Sequence, residues 1–157
     1  MRIWSIHERT IPADPSDAAA LLDTLSSAQD RLWPTDRWPA QRFDGPLGVG
    51  VVGGHGPIRY AVEAYEPGRH VAYRMTSPFR GRHWIDVVPT EQGIQLRHVI
   101  SASAGWVNAV WWVVAIRWLH DALIEDAFDN AERELTGEVR DPARWSWWVR
   151  ALRLSLR

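Results

Sequence analysis

The stretch from Trp106 to Leu135 constrains what this chain can fold into more than any other. Its run AVWWVVAIRWLHDALIEDAFDNAEREL repeats apolar residues in helical register, and Gly137 stands just beyond it as a C-cap candidate. With successive residues about 100° apart, Trp112, Ile116, His120, Leu123, Ala127 and Ala131 share one face. Asp121, Glu125, Asp129 and Glu132 fall on the opposite side, which reads as a solvated stripe. Toward the N-terminus that stripe continues as Val107, Trp111, Val114 and Trp118, all of them apolar. The helix is expected to be one-sided in its C-terminal half and apolar all round in its N-terminal half, where two partners must cover it. It is not a bilayer span. Crossing a membrane takes about 20 consecutive apolar residues, and Asn108, Arg117, His120 and Asp121 interrupt this run.

A chain of 157 residues supports one domain with a sizeable core. It has no cysteine, which excludes disulfides, thiolate catalysis and cysteine-based metal sites. All 18 basic residues are arginine, so Schiff-base chemistry through a lysine is excluded as well. The formal net charge of −1 hides an asymmetry: Pro142 to Arg157 carries four Arg and no acid, against 14 Arg and 19 acids before it. No basic patch stands in the body, so no nucleic-acid partner is expected. The first residues, MRIWSIHERTI, hold no apolar run long enough for a signal peptide, and a cytoplasmic protein is expected.

Ahead of the long helix the apolar period is two. Residues 3–11 alternate as a first strand. Asp14 and Pro15 then open a short helix, ADPSDAAALLDTL, and SSAQDRLW is expected to make a second. The glycine-rich stretch FDGPLGVGVVGGHG lacks both the P-loop and the dinucleotide spacing, and reads as two curved strands joined by a turn. Three cleaner strands follow, around Tyr60, Tyr73 and His83–Ile85, and TEQG closes a hairpin to a last strand through His98. Strands with one apolar face imply an antiparallel sheet that the helix must cover. The predicted class is α+β.

In this order the chain resembles the START-related (SRPBCC) superfamily, which includes polyketide cyclase/dehydrase-like proteins. The likeness is carried by TIPADPSDAAALL, YAVEAYEPGRHVAY, WIDVVPTEQGIQLRHV and the long helix. It covers roughly residues 1–136. The resemblance implies a helix-grip fold: a curved antiparallel sheet of about seven strands around a long C-terminal helix, with two short helices after the first strand and a ligand cavity between. It implies no shared catalytic motif. Residues 1–137 are expected to form this domain, and 138–157 a basic, Trp-rich helical extension.

His7, His83 and His98 lie on the strand faces that carry the aliphatic residues, and His120 on the core face of the helix. A tight TEQG hairpin sets Ile85 opposite His98 and leaves His83 as the diagonal neighbour at about 7–8 Å. The implied fold brings His7 alongside. A cavity lined by His7, Tyr60, Tyr73, His83, Ile85, His98, Trp112, Ile116 and His120 is therefore expected. Without an HxH or HExxH pair no metal is expected, and no cofactor. Histidine near its ordinary pKa suits acid–base catalysis, so His83, His98, His7 and His120 are the catalytic candidates. The leading reading is pocket-lining histidines that orient a ligand. The acidic stripe reads as solvated, and His120 beside Asp121 is not a dyad, because neighbours on a helix diverge.

Asp141 and Pro142 make another helix start, followed by ARWSWWVRALRLSLR. Trp145, Trp148, Val149, Leu152 and Leu156 form an apolar stripe, with Arg150, Arg153 and Arg157 on the other side. This helix is expected to begin near Pro142 and to cover Trp111 and Trp118. A peripheral membrane contact or a homodimer through the same helix are the alternatives. The expected function is binding of a hydrophobic or aromatic small molecule, lipid or polyketide-like, in an interior cavity. The alternatives are a cofactor-free cyclase, dehydratase or hydrolase using cavity histidines, and a lipid-handling protein that docks on membranes.

Overall fold

The computed structural model describes residues 1–155 of the chain. Seven antiparallel strands form one sheet: β1 (Arg2–Ile11), β2 (Arg42–Phe43), β3 (Val52–His55), β4 (Ile58–Glu66), β5 (His70–Ser77), β6 (Arg80–Thr90) and β7 (Gly93–Ser103). Their spatial order is β1-β7-β6-β5-β4-β3-β2, so the first strand closes against the last. The hairpin register is the expected one, with Thr90 opposite Gly93 and Ile85 opposite His98. Register shifts at Arg59/Tyr60 and Val62/Ala64 bend the sheet between β4 and β5. Gly54 of β3 lets the β3–β4 pair approach closely. Its φ is +153°, and a Cβ there would stand 1.9 Å from the Ile58 carbonyl oxygen.

Asp14 caps α1 (Pro15–Leu22), accepting from the Ser16 amide at 2.7 Å, with Pro15 in the first turn. The second short helix expected from SSAQDRLW does not form. Asp30 accepts the backbone N–H groups of Ser26, Leu32 and Trp33, and Ser26 takes a positive φ of 64°. Those side-chain bonds replace the helical ladder that the segment would otherwise have made.

The long helix is continuous in three parts: α2 (Trp106–Trp111), a π segment (Trp112–Ile116) and α3 (Arg117–Thr136). Gly137 closes it in the left-handed conformation, φ 85°. In the wider π turn the Arg117 amide reaches the Trp112 carbonyl. Two neighbouring carbonyls accept indole N–H groups, Val113 from Trp118 at 3.1 Å and Val114 from Trp148 at 2.8 Å. On the inner side Leu123, Ile124, Phe128 and Ala131 pack with Val62, Val71, Ile85, Val87 and Leu96 of the sheet and Leu21 and Leu22 of α1. A smaller cluster of Ile3, Met75, Phe79, Ile100, Ala104 and Trp112 fills the other end.

The stripe Asp121, Glu125, Asp129, Glu132 is not a solvated face. Asp129 and Glu132 are buried, because Arg9 of β1 reaches Asp129 at 2.6 Å, Glu125 at 2.9 Å and Glu132 at 3.2 Å. Paired in this way, carboxylates can leave water.

The tail helix α4 (Trp147–Ser155) starts later than Pro142. The long helix explains why: Asp129 accepts the Ala143 amide and Asp126 the Trp145 indole N–H, both at 2.9 Å, and these bonds hold the approach non-helical. Val149 is buried in the main core, and the Arg153 guanidinium lies 4.6 Å over the Trp38 ring. The tail therefore sits against α3 and does not cover the indoles expected of it. Trp111 stays 58% exposed and Trp118 39%. Leu156 of the stripe and Arg157 of the opposite side lie outside the described residues.

Candidate functional site

Strand parity turns Tyr60, Tyr73, His83 and His98 inward, and all four are buried. Their rings are in contact, some stacked and some edge to face. Tyr73 stacks on His83 at 4.6 Å between centroids, and Tyr60 meets His83 at 4.8 Å. His83 is 5.7 Å from His98, His98 is 5.1 Å from His120, and His120 is 5.6 Å from His7. A continuous file of imidazoles thus runs from the tyrosines to the edge of β1. Trp112 flanks it at 6.0 Å from His120, Ile85 is buried beside it, and Ile116 packs into the smaller apolar cluster.

Four polar atoms of this file, Tyr73 Oη, His83 Nε2, His98 Nδ1 and His120 Nε2, are buried with no hydrogen-bond partner within the described protein. Native interiors rarely leave such atoms alone. Burial disfavours charge on all these groups. It pushes the Tyr73 and Tyr60 hydroxyls above their ordinary range and holds His83 and His98 well below the usual imidazole value. His120 is lowered too, by burial that its Asp121 contact only partly opposes. At neutral pH these three imidazoles are free bases and the phenols keep their protons.

His7 is the opposite case. Its Nδ1–H donates to Glu125 at 2.9 Å and its Nε2–H to Asp121 at 3.1 Å. Burial works against its charge, but the two carboxylates outweigh it and raise its pKa to about 9. Asp121 Oδ1 also receives His120 Nδ1–H at 3.3 Å, so these neighbours on the helix do meet, contrary to expectation. The carboxylate has turned toward His7 and serves both rings. Asp121 is held below the ordinary carboxylate range: burial alone would raise it, and its hydrogen bonds to His120 and His7 overcome that. Potential ligand atoms of His7, His120 and Asp121 lie within 4.8 Å of one another, close enough to share an ion, although no HxH-type spacing announces it. The hydrogen bonds just described already use them.

Several site residues were not singled out by the pattern. Gln41 donates to Tyr60 Oη at 2.6 Å, His55 lies 3.0 Å from the same oxygen, and Phe43 stacks on Tyr73 at 5.9 Å. Burial takes His55 down to about 4, with the charges of His120 and Arg59 adding to the effect. These residues sit in the glycine-rich part of the chain, where no alternation betrays a face. An open hollow of about 700 Å³ adjoins the His7 end, lined by Arg9, Trp118, Asp121, Glu125, Trp145 and Val149 among others. That volume is in the range of small-molecule sites.

A strongly bent antiparallel sheet wrapped on one long helix defines a helix-grip protein of the α+β class. The chain belongs to the family described as polyketide cyclase / dehydrase and lipid transport, which it matches over residues 6–136. No curated protein matches it. Among solved structures, the KanY protein is similar with a TM-score of 0.62 at 10% identity, over 85% of this chain and 97% of that one. The di-domain ARO/CYC StfQ of the steffimycin biosynthetic pathway is similar with a TM-score of 0.64 at 11% identity, over 87% of this chain and 51% of that one. Norcoclaurine synthase from Thalictrum follows, with a TM-score of 0.59 at 15% identity, over 81% and 91%. At such identities the likeness is one of fold. Among the described residues no helix is long and apolar enough to cross a membrane.

Proposed function

We propose that this protein binds a hydrophobic or aromatic small molecule carrying several oxygens, a polyketide-like compound, between the sheet and the long helix. The observation that carries this reading is the set of four partnerless polar atoms on one file of rings. A hydroxylated aromatic ligand offers the hydrogen-bond partners that these atoms lack and a π-face for the rings to pack on. A saturated lipid offers neither. The cyclase / dehydrase part of the family description and the steffimycin ARO/CYC structure support the same class, and its lipid-transport part names the alternative that a titration decides. Isothermal titration with a hydroxylated anthraquinone and with a saturated fatty acid tests it. The quinone should bind saturably and the Tyr73→Phe/His98→Leu variant should not. If the fatty acid binds tighter, or neither binds, the reading fails.

A catalytic reading is favoured by one juxtaposition. The imidazolium of His7, held by Asp121 and Glu125, lies 5.6 Å from the neutral His120. An acid and a base are thus presented side by side, as cyclisation by enolisation and dehydration requires. The ring of His120 would take a proton from carbon next to a carbonyl, and His7, turning its Nε2–H from Asp121 to the ligand, would give one to the oxygen that leaves. Deuterium uptake at such carbons of a bound ligand in D2O, abolished by His120→Gln, is the expected outcome. Uptake no faster than in buffer would end this second reading.

A further inference from the structure

The N-terminal half of the long helix turns a largely apolar face outward. Trp106, Val107, Val110, Trp111, Val113, Val114 and Trp118 are all exposed, with Trp106 at 81%. At helical spacing they occupy neighbouring positions, while Trp112 and Ala115 point in. The bond from the Trp148 indole to the Val114 carbonyl sets the first turn of α4 beside this face. Trp147 extends the face at 77% exposure, its ring 5.5 Å from that of Trp148. Four exposed indoles with their valines exceed the few hundred Å² of contiguous apolar surface that monomers usually show.

Between Trp106 and Trp118 the one charged residue is Arg117, which lies 4.0 Å from Asp121 at the edge of the face. Its guanidinium stands 4.9 Å over the Trp118 ring. Arg144 borders the same hollow as Trp118, together with the carboxylates of Asp121, Glu125 and Asp141, and Arg150 is exposed one turn from Trp147 on α4. No acidic residue occurs from Trp106 to His120 or from Pro142 to the end of the chain. A twofold contact with a second copy would bring these arginines toward themselves, and the neighbouring carboxylates of Asp121 and Glu125 are already engaged by His7 and Arg9. An exposed face of tryptophans with arginines at its edge instead matches the boundary of an anionic bilayer, where indoles sit at headgroup depth and cations meet lipid phosphate.

We propose that this face, Trp106 to Trp118 with Trp147 of α4, docks the protein peripherally on anionic lipid membranes. The docking stands independently of the ligand reading, because none of these side chains belongs to the ring file.

Flotation of the full chain with phosphatidylcholine vesicles, with and without phosphatidylglycerol, tests the proposal. The protein should float with the anionic vesicles, with tryptophan emission shifting to the blue and binding weakening as salt rises. Trp106→Ser/Trp111→Ser should lose at least tenfold in binding while keeping the wild-type melting temperature, since both side chains are exposed. Arg117→Gln should cost about fivefold. A chain that stays monomeric and ignores anionic vesicles overturns the proposal. So does a dimer that forms through this face and persists with vesicles present. Equal, salt-independent binding to neutral vesicles overturns it too.

Discussion

His7 and the interior histidines put opposite pH dependences into one molecule. His7 has a folded pKa of about 9 against an ordinary 6.5, so its stabilisation is full below about pH 6.5 and fades as pH rises through 9. His83, His98 and His120 are depressed, so their contribution is present above about pH 6.5 and drains away as pH falls and the unfolded chain takes the protons. Stability should therefore peak near pH 6.5–7 as far as these groups decide it. His7→Gln should cost about 2 kcal/mol there, discounted because Asp121 and Glu125 are over a third exposed. It should also flatten the alkaline limb and leave the acid limb in place. Urea titrations across pH measure both limbs, and an unchanged alkaline limb would sink the assignment. Tyr73 separates stability from function. Its hydroxyl is buried with no partner, so Tyr73→Phe should leave the apoprotein equal or up to about 1 kcal/mol more stable. The same change should weaken anthraquinone binding. A destabilised variant would mean that the hydroxyl has an unseen partner.

Among the elements, those built on a short period were legible in the sequence and those built on distant partners were not. Alternation placed His83, Ile85 and His98 on one face, and the two-residue hairpin loop followed from TEQG, because parity survives anything short of a bulge. The wheel placed His120 inward for the same reason. It could not show that Arg9 and His7 would meet the acidic stripe, since a charge pattern on one helix is silent about a strand more than a hundred residues away. Nor could it show that Asp30 would spend its carboxylate on three amides and so dissolve a helix. The tail was misplaced because two buried carboxylates of α3, Asp129 and Asp126, anchor the approach to it. Asp126 accepts from Arg37 at 2.9 Å, Trp38 at 2.7 Å and Trp145 at 2.9 Å. Removing one donor from a buried charge costs roughly 2 kcal/mol, so Trp145→Phe should lower the melting temperature by roughly 5 °C. It should also free α4, seen as faster amide exchange confined to residues 147–155. If exchange there is unchanged, the apolar seat of Val149 alone holds the helix.

At the scale of the molecule the sheet order decides how the site is assembled. Strands β3 to β7 form by successive hairpins, whereas β1 must wait for β7 at the far end of the sequence, with Ile11 opposite Ile94 and Arg2 opposite Ser103. Closing so long a loop before any reward is slow, so the β1 contacts should form after the rate-limiting step. His7 and Arg9 ride on that strand, which makes the acidic network and the open end of the ring file the last parts to be completed. Ile11 is wholly buried, so Ile11→Ala should cost about 3 kcal/mol. Nearly all of it should appear as unfolding accelerated by about a hundredfold, with folding almost unchanged. Leu96→Ala, in the local β6–β7 hairpin and equally buried, should slow folding instead. Stopped-flow chevrons of the two variants decide between these orders. Folding slowed by Ile11→Ala as much as by Leu96→Ala would place β1 in the nucleus and reverse the sequence of assembly.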